Sequence, residues 1–139
     1  MPRLTPNLHF AGECAQAMAL YERAFGAHTK VCLRYADANL SDWEVPLTEA
    51  QRAYVYHAEM ELCGHRIILS DELERREAGH IPVSLLLTFD TPDEVRRSYA
   101  LLEAGAHIVH AMTDTTYSSA FVSLVDRFGV RWELMTEDR

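Results

Sequence analysis

The residues of this chain most able to do chemistry at short spacing are His57, Glu59 and Glu61. Alternation through residues 54–63 puts these three with Val55 on one strand face. Tyr56, Ala58, Met60 and Leu62 fall on the other. Side chains two apart on a strand stand about 6.5–7 Å apart. His57 and Glu59 could therefore share an ion only with a third ligand from an adjacent strand. A polar strand face turned to solvent gives the same pattern, and it is the reading adopted. His107 and His110 are three apart, so on a regular strand they point to opposite faces and do not chelate together.

Other chemistries lack their signatures. There is no Gly-x-Ser-x-Gly elbow, no phosphate loop and no dinucleotide fingerprint. Cys14, Cys32 and Cys63 are an odd number without a Cys-x-x-Cys, which reads as buried, reduced thiols in a cytoplasmic protein. The 13 Lys and Arg against 21 Asp and Glu leave a net charge of −8, with no basic cluster. Nucleic acid and anionic membrane surfaces are excluded as partners on that ground. No apolar run approaches the ~20 residues of a membrane span, and Met1–Pro6 has no signal-peptide core. With 139 residues, 48% hydrophobic and 24% charged, the chain is expected to form one domain with a real core.

The elements that must position these residues follow from periodicity. Residues 4–10 read as extended. Cys14, Ala17, Met18, Tyr21 and Phe25 recur at helical steps, and Gly26 ends that helix. Strands follow at 28–36, 54–63 and 65–70, the last two joined tightly at Gly64 as a hairpin. Residues 37–52 form a long polar loop holding Trp43, with one helical turn from Thr48. The charged stretch 72–82 is a linker. Val83–Phe89 is then a strand. Thr91-Pro92-Asp93-Glu94 is a strong helix start, with Thr at the cap, Pro at the first position and Glu three after the cap. That helix stops at Gly105. Strands at 107–112, 118–125 and 130–135 complete the chain.

Each half thus reads strand, helix, strand, strand, strand: module 1 over 3–71 and module 2 over 83–136. Gly64-His65-Arg66-Ile67-Ile68-Leu69 matches Gly129-Val130-Arg131-Trp132-Glu133-Leu134. Ile67 and Leu69 then share the helix face with Trp132 and Leu134. Arg66 and Ile68 share the opposite face with Arg131 and Glu133.

Several motifs carry a resemblance over nearly the whole chain. They are Thr5-Pro6-Asn7-Leu8-His9-Phe10, Ala19-Leu20-Tyr21-Glu22-Arg23-Ala24-Phe25-Gly26, and His57-Ala58-Glu59-Met60 with Ile68-Leu69-Ser70-Asp71-Glu72. Tyr117–Phe121 and Asp126-Arg127-Phe128-Gly129-Val130-Arg131-Trp132-Glu133 complete the set. The chain resembles the vicinal oxygen chelate superfamily of glyoxalases, bleomycin-resistance proteins and extradiol dioxygenases, and within it the PhnB-like branch. The resemblance implies an α+β fold of two tandem βαβββ modules. Their curved, mainly antiparallel sheets carry the helices on the convex side and a site on the concave one.

Many members of that superfamily hold a divalent metal with one ligand from the first and last strand of each module. Carried over, those positions fall on Pro6, Ile68, Ser84 and Glu133. Only Glu133 keeps the ligand type, and one carboxylate with one hydroxyl does not make a tight site. The expectation is a cavity without a cofactor, with a bound divalent metal the alternative.

Glu133 is the candidate catalytic residue, as a general base or an anchor for a ligand's polar group. The plainer reading has Arg66 or Arg131 neutralise it for structure alone. Leu8, Phe10, Leu86 and Met135 are expected to wall the cavity, while His57, Glu59, Arg66 and Ser84 add polar contacts. His9 is expected on the helix side. Trp43 is either a lid over the site or a dimer contact.

Three functions remain open: a PhnB-like small-molecule-binding protein, a metal-dependent lyase, isomerase or oxygenase, and an antibiotic-sequestering protein. A cytoplasmic homodimer is expected, as relatives of this plan commonly pair. The phosphonate and methyltransferase labels of some PhnB-like chains find no matching motif here.

Overall fold

The computed structural model describes residues 3–38, 46–73 and 83–139. The expected linker and Trp43 lie largely or wholly outside them. The chain divides into two compact units, Met1–Glu77 and Ala78–Arg139.

In the first unit, β1 (Asn7–Phe10) is followed by α1 (Cys14–Phe25), β2 (His28–Arg34), the helical turn α2 (Glu49–Arg52), β3 (Val55–Leu62) and β4 (His65–Asp71). The strand order is β1-β4-β3-β2, with β1 parallel to β4 and the other pairs antiparallel. The second unit repeats this plan with β5 (Leu85–Phe89), α3 (Pro92–Leu102), β6 (His107–Thr113), β7 (Phe121–Val125) and β8 (Arg131–Thr136). Its order is β5-β8-β7-β6, again with the first strand parallel to the last. These are the two βαβββ modules that the repeat implied.

Each helix covers one sheet face. Ala17, Leu20, Tyr21 and Ala24 of α1 are buried, as are Ala58, Met60, Ile67 and Leu69 of β3 and β4. In the second unit Val95 and Leu102 of α3 are buried, as are Trp132 and Leu134 of β8. Burying one such aliphatic side chain contributes about 1.5–3 kcal/mol.

The two helices start differently. α3 is capped locally: the Thr91 side chain accepts from Glu94 N–H, with Pro92 opening the helix. α1 has no side-chain cap of its own, because the Glu13 side chain accepts no N–H of the first turn. Its first turn is held instead by Asp71 at the end of β4, a carboxylate only 2% exposed. Asp71 Oδ1 accepts the N–H groups of Gly12 at 2.8 Å and Cys14 at 3.0 Å. Its Oδ2 accepts Val55 N–H at 2.9 Å, and its carbonyl accepts the Tyr35 hydroxyl at 2.8 Å.

Candidate functional site

The expected polar residues of module 1 do meet on one face, but they satisfy one another. Glu59 stands beside Ile68 and Glu61 beside Arg66 in the β3–β4 register. Arg66 donates to Glu59, and His57 Nε2 lies 3.5 Å from the same carboxylate oxygen. The Arg66 guanidinium, and behind it the His57 imidazole, holds the Glu59 carboxyl below the usual carboxylate range. Glu61 turns to Lys30 on β2, 3.7 Å away. Among the described residues, no three His, Cys, Asp or Glu side chains gather closely enough to hold a metal ion.

β1 corrects one expectation. Leu8 stands beside Leu69 and Phe10 beside Asp71, both buried residues of the helix face. Phe10 is therefore a core residue, and the half-buried Leu8 shares its face, so neither walls the open face. His9 takes the open face instead, beside Ser70, with Nδ1 3.5 Å from Glu72 Oε1. Alternation gives two faces, and the pairing with β4 decides which one is covered.

Module 2 holds the less satisfied group. Ser84 donates to Glu133 Oε1 at 2.5 Å. Glu133 makes no ion pair among the described residues of module 2, where Arg131 does not bridge to it. Leu86 is the cross-strand partner of Glu133 and is 49% exposed, while Met135, two residues along the same face, is buried.

The register adds two residues that sequence reasoning missed. Ser123 on β7 pairs with Glu133 on one side and His110 on the other. Leu86, Glu133, Ser123 and His110 therefore form one row across all four strands. Ser123 is fully buried and its hydroxyl has no hydrogen-bond partner among the described residues. Its signal was legible as the single polar residue in Phe121-Val122-Ser123-Leu124-Val125.

His110 was misplaced for a physical reason. The β6–β7 register shifts between Ile108 and His110, and an extra residue there reverses the alternation. His107 opposite Val125 and His110 opposite Ser123 consequently share a face. The His110 ring lies edge-on to Phe121, with centroids 6.4 Å apart.

The donor set does not fit the divalent metal that the resemblance implies. Ile68 offers no ligand atom, and its N–H donates to the Pro6 carbonyl at 3.0 Å. The registers also pair Asn7 with Ile68 and Leu86 with Glu133, so the repeat counterpart of Ser84 is Thr5, one residue before Pro6. Module 1 then supplies at most a hydroxyl. Module 2 supplies one carboxylate already engaged by a hydroxyl, where tight sites need several carboxylate or imidazole ligands.

No protein-family model matches the chain. Protein YjdN of Escherichia coli (strain K12) is 29% identical over 141 residues, covering 93% of this chain and 91% of that protein. A Bacillus cereus protein described as a putative 3-demethylubiquinone-9 3-methyltransferase, PhnB protein, superposes with a TM-score of 0.81. It is 25% identical over 97% of this chain and 99% of its own. A glyoxalase/bleomycin resistance protein/dioxygenase family enzyme from Burkholderia phytofirmans PsJN shares the fold, with a TM-score of 0.62. Its identity is 15% over 94% of each chain.

Proposed function

We propose that this chain is a PhnB-like protein of the vicinal oxygen chelate superfamily and that it binds a small organic molecule on the face of the module 2 sheet that carries Glu133, opposite the face that packs on α3. Glu133 anchors the ligand's polar group, and no divalent metal occupies the superfamily's ligand positions. The observation that carries this reading is Glu133 itself. It is half-buried beside Leu86, and a neutral hydroxyl is the only group bonded to it among the described residues. A carboxylate so placed retains acceptor capacity for a ligand. The apolar neighbours Leu86 and Met135 supply contact area for the rest of the molecule.

The protein acts in the cytoplasm as a homodimer in this reading. Its three cysteines form no disulfide, which supports a reducing compartment. Among the described residues, no helix is long and apolar enough to cross a membrane. Light scattering at micromolar concentration tests the dimer.

Metal content measured on untagged protein, with Zn²⁺, Mn²⁺, Fe²⁺ and Ni²⁺ titrations followed by thermal stability, tests the metal-free site. A ligand specific for the folded state raises the melting temperature with concentration. No stoichiometric metal and no saturable shift are expected. Stoichiometric metal that Glu133→Ala abolishes would return the chain to the metalloenzymes of its superfamily.

A further inference from the structure

Resting on the module 2 reading above, we infer that the ligand is an organic ammonium with an apolar body, held between the Glu133 carboxylate and the Ser123 hydroxyl. Three observations carry this. Glu133 bears a formal negative charge that no cationic side chain of the described residues bridges. Ser123 Oγ, its direct cross-strand neighbour, is fully buried with its hydrogen-bonding capacity unused. The row around them is apolar at one end, at Leu86, and imidazole at the other, at His110.

Geometry favours a tetrahedral nitrogen. Two N–H···O bonds of about 2.9 Å leaving such a nitrogen end on oxygens about 4.7 Å apart. Adjacent strands are spaced at about 4.8 Å, so acceptors on β8 and β7 in one row match that span. Ser123 offers lone pairs to an N–H donor, and Glu133 offers the counter-charge. Leu86 is half-exposed and stands beside Glu133 at the apolar end of the row. Met135 and Phe121 lie one pair further along the same face and extend the apolar surface. His110, beyond Ser123, is placed for a second polar group of the ligand.

The test uses benzylammonium chloride as probe, benzyl alcohol as its neutral counterpart and Zn²⁺ as the competing cation. Binding is followed on the whole chain by NMR shifts and calorimetry. Benzylammonium should bind at least tenfold tighter than benzyl alcohol, and Glu133→Gln should remove that preference. Ser123→Ala should weaken benzylammonium about three- to tenfold while leaving the free protein as stable or more stable, since it deletes a buried hydroxyl that lacks a partner. A merely structural serine would show the opposite pattern.

Equal affinity for alcohol and ammonium, or full benzylammonium affinity in Glu133→Gln, would overturn the ammonium assignment and leave the module 2 site standing. Saturable Zn²⁺ binding lost in Glu133→Gln, with no response to either organic probe, would overturn both the assignment and the proposed metal-free function.

Discussion

Replacing Asp71 by Asn tests whether one carboxylate holds module 1 together. Asp71 accepts three backbone N–H groups, two on Oδ1 and one on Oδ2. Asn keeps one oxygen, which can still serve Gly12 and Cys14. Its amide nitrogen then faces Val55 N–H, donor against donor, at a residue with no exposure. An unpaired buried donor costs about 1–3 kcal/mol. Losing the negative charge at the start of α1 adds about 0.3–1 kcal/mol.

The expected destabilisation is therefore about 1.3–4 kcal/mol, with Asp71→Ala costing more because it removes every side-chain acceptor. Urea unfolding by far-ultraviolet circular dichroism measures it, and the midpoint should fall without a change in slope. An unfolding entropy of about 2.1 cal/mol/K per residue makes 3 kcal/mol about 10 °C for 139 residues. If Asp71→Asn stays within about 0.5 kcal/mol of the parent, the carboxylate is not the tie described here.

Other outcomes follow from single groups. Asp138 accepts from Ser119 N–H and from the Ser119 and Thr136 hydroxyls, which hold its pKa at about 2. Its pKa is depressed on folding, so its contribution is present above the unfolded value near 3.9 and is lost as pH falls toward about 2. Asp138→Asn should flatten the acid limb of a stability-versus-pH curve in that window; an unchanged limb would remove the latch. Cys32 and Cys63 are exposed and Cys14 is buried, with burial raising the Cys14 thiol pKa far above the ordinary range. Native protein should release two equivalents with a thiol reagent and a third only in denaturant. Cys32 should react before Cys63, whose thiol burial also pushes up. Gly12 has φ 108°, and an added Cβ would meet the Tyr54 ring at 2.9 Å. Gly12→Ala should cost about 1–3 kcal/mol by thermal unfolding, and a neutral result would mean the loop relaxes freely.

Much of the fold was legible because its signals are local. Thr91-Pro92 marked the start of α3, Gly26 with φ 68° marked the end of α1, and Gly64 marked the β3–β4 hairpin. The match of Arg66 and Ile68 to Arg131 and Glu133 carried the repeat and the faces of β4 and β8 correctly. Two errors share one cause, which is that alternation is blind to pairing. Leu8 and Phe10 exchanged faces with His9 because β1 reveals its buried side only beside β4. His110 was lost because a bulge in β6 breaks the period of two. Glu133 and Ser84 came from the ligand positions that the resemblance implies, and their mutual bond was not visible without coordinates. Ser123 escaped because a lone serine in an apolar strand is read as tolerated, until its missing partner is seen.

The unequal capping of the two helices sets an order of events along the folding path. The cap of α3 lies three residues away in the chain, so its nucleus closes a loop of one turn. The donors at the start of α1 find their acceptor 57 and 59 residues away. Loop closure over that distance must precede the bond, and such contacts form slowly. The β3–β4 hairpin is therefore expected to assemble first and carry Asp71 into place, with β1 and α1 docking onto it afterwards. Module 2 can begin from its helix, whereas module 1 must begin from its sheet.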